Sequence, residues 1–295
     1  MVSIKAGILL WNFQSICSGA TMVDLAGYTL AFSEEFEGPI LNTRVWGTHY
    51  WWGGRSLASN GEEQYFADTT TAMVRAYPAC DPLVIHDHPS RLGKRLLAIT
   101  AWPSPDLALS NGLPYVSGMI QSHSTFSRRY GFFEIVARLP NGQGLWPAFW
   151  LLPANGAWPP EIDVMEVLGH DTTTYYVSTH WKSRTSQQAY RTLQIAVGRD
   201  LSADFNAFGC QWTPTGLVFT FNRQPVGRVA HPSRVNVEMY LLAGLAVGGT
   251  WAGSPDCTTR FPARLEIESI KVWTPPPALD EETRAKVPTS RKHFL

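Results

Sequence analysis

The chain has 295 residues, enough to bury a full core, and at this size an all-β sandwich commonly forms one domain. Lys plus Arg equals Asp plus Glu at 24 each, so no net field draws nucleic acid or an anionic membrane, and no run approaches the ~20 apolar residues that span a bilayer. Only 16% of residues are charged, 24 Gly and 21 Pro mark many turns, and 12 Trp exceed what a packed core needs.

Residues 1–25 read as a leader: Lys5, an apolar stretch Ala6–Phe13, then small residues Cys17–Ala20 as a cleavage region, which points to a secreted, periplasmic or surface protein. Tyr28–Phe36 alternates as a strand and runs into the turn Glu37-Gly38-Pro39. Residues 46–66, aromatic and Gly-rich, are too irregular for a strand or helix and read as a functional surface loop. Short strands follow at turn-separated intervals: Arg95–Ala101, Val116–Ser122, Gly131–Leu139, Ala148–Leu152, Glu161–Val167 and Tyr175–His180. Later come Gly209–Trp212, Val218–Asn222, Tyr240–Ala246 and Arg264–Trp273. In Gly131–Leu139, Phe133, Ile135, Ala137 and Leu139 share one face, while Phe132, Glu134, Val136 and Arg138 share the other. No long 3.6-residue period and no internal repeat occurs, which predicts an all-β, two-sheet antiparallel sandwich, a jelly roll of concanavalin-like form, over 26–274. Residues 275–295 are Pro-rich, then charged, and read as a mobile tail. Four cysteines, Cys17, Cys80, Cys210 and Cys257, lack metal-ligand spacing; one or two disulfides are open, with Cys210 expected as a buried thiol.

The segment Trp158–Gly169 concentrates the chemistry. Glu161 and Asp163 share a face of a strand, but Glu166 points the other way, because five is odd. One β-bulge near Val164–Met165 restores all three to one side. Glu161 and Glu166 are then ~13 Å apart along the backbone, and side chains leaning together approach the ~5–5.5 Å carboxyl separation of a retaining glycosidase. Mutual repulsion raises at least one pKa, giving an ionised nucleophile beside a protonated acid, with Asp163 hydrogen-bonded to Glu161. The plainer readings are an acidic calcium site or a solvated edge strand. The neighbouring run Gly144–Pro153 places Trp146, Ala148 and Trp150 on one face, where indoles can stack on sugar rings or simply pack.

These residues resemble glycoside hydrolase family 16, in its bulged, laminarinase-type branch. Besides the Glu161–Glu166 strand, the stretches Ala31–Gly38, Asn60–Phe66, Ser117–Ser122, Tyr130–Pro140, Ser178–Trp181 and Leu245–Trp251 are similar in order and spacing. The resemblance, which through Trp51–Arg55, Asn60–Tyr65 and Trp158–Asp171 looks especially like bacterial members that cut exopolysaccharides such as succinoglycan, implies a jelly roll with an open concave substrate cleft. It implies a retaining endo-β-glycanase acting as a monomer on β-1,3 or mixed β-1,3/1,4 glucosyl linkages or, alternatively, on an acidic exopolysaccharide. Loops 46–66, 102–115 and 250–260 would select the polymer. Glu161 would be the nucleophile, Asp163 its partner and Glu166 the acid/base. Trp146, Trp150, Asn60, Glu63, His180, Trp181 and Trp251 would bind substrate, with no catalytic metal or cofactor required. Departures are Met119 for a basic residue, Asn206, Phe208 and Gln211 in place of the usual pattern, Gly244 for Asn, and Glu268 for the Asp that helps hold a structural Ca2+ in many members. A non-catalytic β-glucan-binding sandwich is the rival from another class; it would have no need of the two glutamates.

Overall fold

Short alternating runs punctuated by Gly and Pro build strands almost throughout. A computed structural model describes residues 22–183, 186–230 and 235–276, so nearly all of the expected leader and tail lie outside the described residues. The strands are β1 (Thr29–Glu34), β2 (Gln64–Phe66), β3 (Leu83–Asp87), β4 (Arg95–Pro103), β5 (Tyr115–Ser117), β6 (Met119–Gln121), β7 (Ser127–Arg128), β8 (Gly131–Arg138) and β9 (Leu145–Pro153). There follow β10 (Glu161–Glu166), β11 (Thr174–Lys182), β12 (Gln188–Ala196), β13 (Asn206–Thr213), β14 (Gly216–Phe221), β15 (Gln224–Ala230), β16 (Met239–Val247) and β17 (Ala263–Thr274). Helix among the described residues is one turn, α1 (Ala72–Ala76), plus two 3-10 turns.

Two sheets stack as expected. The back sheet runs β15-β14-β13-β8-β17-β4-β5-β2, with β1 on β17 and β3 on β4. The front sheet runs β12-β11-β10-β9-β16-β6, with β7 on β16. All pairings are antiparallel except the short β2–β5 pair. Inward residues of both sheets form one core: Phe133, Ile135 and Ala137 from β8 meet Phe149, Ile162 and Val177 from the front sheet. Each fully buried Phe or Ile contributes about 1.5–3 kcal/mol of transfer free energy. The outer face of β8 is held by ion pairs, Glu134 with Arg223 and Arg138 with Glu266.

The expected single strand Val116–Ser122 is two. β5 belongs to the back sheet and β6 to the front, and the chain crosses between them at Gly118. A Cβ there would lie 2.8 Å from Leu83 Cδ2 and 3.2 Å from Pro82 Cβ, so only glycine lets the crossing pack this closely. The loop at 46–66 ends in a strand, β2, and is less of a free surface than expected. Trp46, Tyr50 and Phe66 are buried, the last two in a second apolar cluster with Met119, Leu152, Tyr240 and Leu242. Cys80, Cys210 and Cys257 are free thiols, with Cys210 fully buried in the core as expected.

Candidate active site

β10 carries the three acids, and its bulge decides where they point. Against β9, Asp163 pairs with Trp150 and Met165 with Phe149, so two steps on β10 match one on β9. Against β11, Asp163 pairs with Ser178 and Glu166 with Tyr176, three steps against two. The extra residue sends Val164 and Met165 together into the core and turns Glu161, Asp163 and Glu166 onto the same outer face.

Register then lays three rows across that face. The first contains Tyr190, His180, Glu161 and, beyond Leu152, Tyr240. The second contains Thr192, Ser178, Asp163, Trp150, Leu242 and Gln121. The third contains Tyr176, Glu166, Ala148, Gly244 and Met119. Trp146 lies one pair further along β9, opposite Ala246.

Each acid has its own donor. Trp158 Nε1 donates to Glu161 Oε2 at 2.6 Å, and Trp146 Nε1 donates to Glu166 Oε1 at 3.2 Å. His180 Nε2 lies 3.2 Å from Asp163 Oδ2, while its Nδ1 is buried without a partner. Burial raises all three carboxyl pKa values. For Glu161, burial and then the Asp163 charge push the value to about 8, against opposing pulls from His180 and Trp158. Asp163 rises to about 7 through burial, opposed by its hydrogen bond with Glu161. Glu166 is held well above the ordinary carboxyl range by burial, then by the Asp163 and Glu161 charges. Chemically, the face offers one carboxyl whose burial favours its protonated form, beside a hydrogen-bonded pair of carboxyls.

The other expected residues divide. Trp146 and Trp251 meet edge to face, 5.4 Å between centroids, and Trp251 also meets Tyr176 at 4.9 Å. Trp150 shares the face with Asp163 and packs on the second apolar cluster. Asn60 and Glu63 stand in a wall against the 248–254 loop. The Asn60 carbonyl accepts from Thr250 N at 2.8 Å, and Glu63 accepts from the Ser254 hydroxyl. Gly249, at φ +103°, brings that loop onto the Trp146 ring; a Cβ there would lie 3.3 Å from it. The Asn60 side chain itself is spent on Glu62. Trp181 is a correction: one step from His180 along β11, it faces away from the acids and packs against the inter-sheet core.

Three contributors escaped the sequence reading. Trp158 precedes β10 and follows no strand period, Tyr190 lies on a polar edge strand, and Glu62 is buried beneath Asn60, Gln64 and the Leu57 amide, all of which donate to it. The only available signal was the indole three residues ahead of Glu161. Of the departures, Met119 and Gly244 face each other in the Glu166 row and leave its far end apolar, whereas Asn206, Phe208 and Gln211 lie on β13 of the back sheet. At the expected calcium position, Glu268 is held by Arg91 and faces His88 at 3.6 Å, and Glu35, just past the end of β1, is held by Lys271 at 2.7 Å and Lys94 at 3.2 Å. These carboxylates are matched by the chain's own cations and do not fit a calcium ion. No other cluster of acids, His and Cys among the described residues suits a metal.

The chain is similar to known proteins. The chain is 34% identical over 260 residues to endo-1,3-1,4-beta-glycanase ExsH of Rhizobium meliloti (strain 1021), covering 85% of this chain but 53% of that protein's length. It is 29% identical over 206 residues to a beta-glucanase of Rhodothermus marinus, covering 62% of this chain and 70% of the relative. The catalytic domain of an endo-1,3-beta-glucanase (laminarinase) from Thermotoga petrophila RKU-1 superposes with a TM-score of 0.67 at 28% identity, covering 84% of this chain and 98% of that one. The family description "Glycosyl hydrolases family 16" matches residues 92–264, more than half of the chain and all of the acid-bearing strand, and the chain belongs to that family.

Proposed function

We propose that this domain is a retaining endo-β-glycanase acting on β-1,3 or mixed β-1,3/1,4 glucosyl linkages. One observation carries the reading: the bulge in β10 turns Glu161, Asp163 and Glu166 onto one face, each with its own hydrogen-bond partner. Glu166, whose burial favours the protonated form, gives its proton to the glycosidic oxygen as that bond breaks. Glu161, oriented by the Trp158 N–H, attacks the anomeric carbon and forms a glycosyl-enzyme ester. The proton that the pair shares rests more easily on Glu161, and its shift to Asp163 leaves Glu161 ionised for attack. Glu166, now a base, removes a proton from water, which displaces Glu161 and restores the starting anomeric configuration. Trp146, Trp150 and Trp251 supply stacking faces along the path. The activities for which the Rhizobium and Rhodothermus relatives are named support a β-glucan substrate. A polymer cannot cross a membrane unaided, which supports action outside the cytoplasm.

The test is Glu161→Ala assayed on laminarin, lichenan and succinoglycan. Hydrolysis should disappear with the near-UV circular dichroism unchanged, and azide should restore turnover on an activated glycoside. The wild type should release product first in the retained configuration by NMR. Full activity in the variant, or product released first as the inverted anomer, would sink the assignment.

A further inference from the structure

The rows around the acids do not end where the acids do. Beyond Tyr240, in the loop that follows the Gly47–Gln121 bridge at the edge of β6, two indoles stand in solvent: Trp51 is 43% exposed and Trp52 49%. Neither is loose. Trp51 lies parallel to the His123 ring, 4.9 Å between centroids with 10° between planes, and His123 in turn meets Tyr240 edge on at 4.9 Å. Trp52 is stacked on buried Tyr50 at 4.5 Å and 11°. The two indoles stand at 90° to one another. Gly53, at φ +89°, makes the turn between them and the rest of the loop, and Gly54 has no side chain to lift Trp52; a Cβ there would lie 2.6 Å from its Nε1. The loop is braced beneath by Arg55 and Thr48, each 2.8 Å from Asp68 Oδ2. Two exposed aromatic faces, each held flat by a ring behind it, lose little entropy on stacking against a ligand.

Their position indicates the occupant. Trp51 presses on Gly156, in the loop that also carries Trp158 and thereby reaches Glu161. Through His123 and Tyr240 it also joins the apolar cluster that supports Trp150. The order β10-β9-β16-β6 puts this patch about three strand spacings, ~15 Å, from the acids on the Trp150 side. The charged neighbour in the loop, Arg55, is already paired with Asp68, so the patch selects an uncharged, flat-faced ligand.

We propose that Trp51 and Trp52 form a distal sugar-binding platform that holds uncharged β-linked glycosyl units of a long chain several units from the bond being cut. The platform rests on the reading of Glu161 and Glu166 given above. It makes the domain prefer polymers over short oligosaccharides.

The experiment compares Trp51→Ala, Trp52→Ala and Trp51→Tyr with the wild type on lichenan or laminarin and on a short chromogenic β-glucoside oligomer. The ratio of kcat/KM for polymer to that for the oligomer should fall about tenfold in each alanine variant, mostly through KM, and less in Trp51→Tyr. Equal losses on both substrates, or no loss on the polymer, would overturn the platform. Retention in polymer-containing native gels, measured in the Glu161→Gln background, reads binding without catalysis. Loss of retention in the added Trp51→Ala variant supports the platform even if the wild type hydrolyses nothing, a result that would count against the acids alone. A dimer of the wild type that dissociates on Trp51→Ala would overturn the platform by placing a second copy of the chain on the patch.

Discussion

At the scale of single residues, the site is a problem in distributing protons. The Glu161–Asp163 pair loses its first proton near pH 7, and that apparent value belongs to the pair, whereas burial and the two neighbouring charges raise Glu166 well above the ordinary carboxyl value. Catalysis needs the pair deprotonated once and Glu166 protonated, so kcat/KM is expected to rise with pH through about 7 and fall only where Glu166 ionises. Trp158→Phe removes the N–H that favours the charged form of Glu161. The acidic limb should therefore move to higher pH, and kcat should drop about 10–100-fold, the cost of ~1.5–3 kcal/mol for a hydrogen bond to a charged group. A full pH–rate profile checks both; an unshifted limb would make Trp158 a packing residue only. The acids themselves were legible because a period of two and one bulge suffice to place them. Trp158 was not, since its indole reaches the acid from a loop in which no period operates. Trp181 was misplaced for a simple reason: one step along β11 separates the acid-facing His180 from a side chain in the core.

At the scale of elements, central strands declared themselves and edge strands did not. β8, β9 and β16 are strongly apolar, and β10 is apolar on its core face, because both neighbours and a core face demand it. β12 is mostly exposed and polar, and β15 contains Pro225 and Gly227, devices that blunt a sheet edge and erase the pattern at the same time. Such strands are defined by their partners, which a single sequence does not display. The last strand, β17, makes a separate point. It bulges between Ile267 and Ser269, and Glu268 at that step is met by Arg91 and His88. Chelator should leave the melting temperature unchanged, and Arg91→Ala should lower it by about 2–4 °C, corresponding to ~1 kcal/mol for a partly buried pair. Thermal melts with and without EDTA decide this; a fall on chelation in the wild type would restore a metal to the site.

At the scale of the molecule, the equal numbers of acidic and basic residues bear on kinetics rather than on fold. A neutral domain meeting a neutral glucan gains nothing from long-range steering. The value of kcat/KM on lichenan should accordingly vary less than about twofold as salt shortens the Debye length from ~30 Å to ~3 Å. A steep fall with salt would instead indicate an acidic polysaccharide as the working substrate. The sandwich class and the face bearing the acids were both readable from alternation and turn spacing. The switch of sheets at Gly118 was not, because a single Ser-Gly step between the apolar pairs Tyr115-Val116 and Met119-Ile120 reads as one continuous strand.

The bulge in β10 has a mechanical consequence. Because Val164 and Met165 sit side by side in the core, the reach from one carboxyl to the other is set from behind the sheet. Met165→Ala touches nothing in front of the sheet, yet the collapse around the vacated volume would redraw the curvature of the strand. Its effect should be visible as a lower kcat with KM little changed, in a protein ~2–5 kcal/mol less stable. In this fold the tuning screw of the reaction lies on the dry side of the sheet that bears the acids.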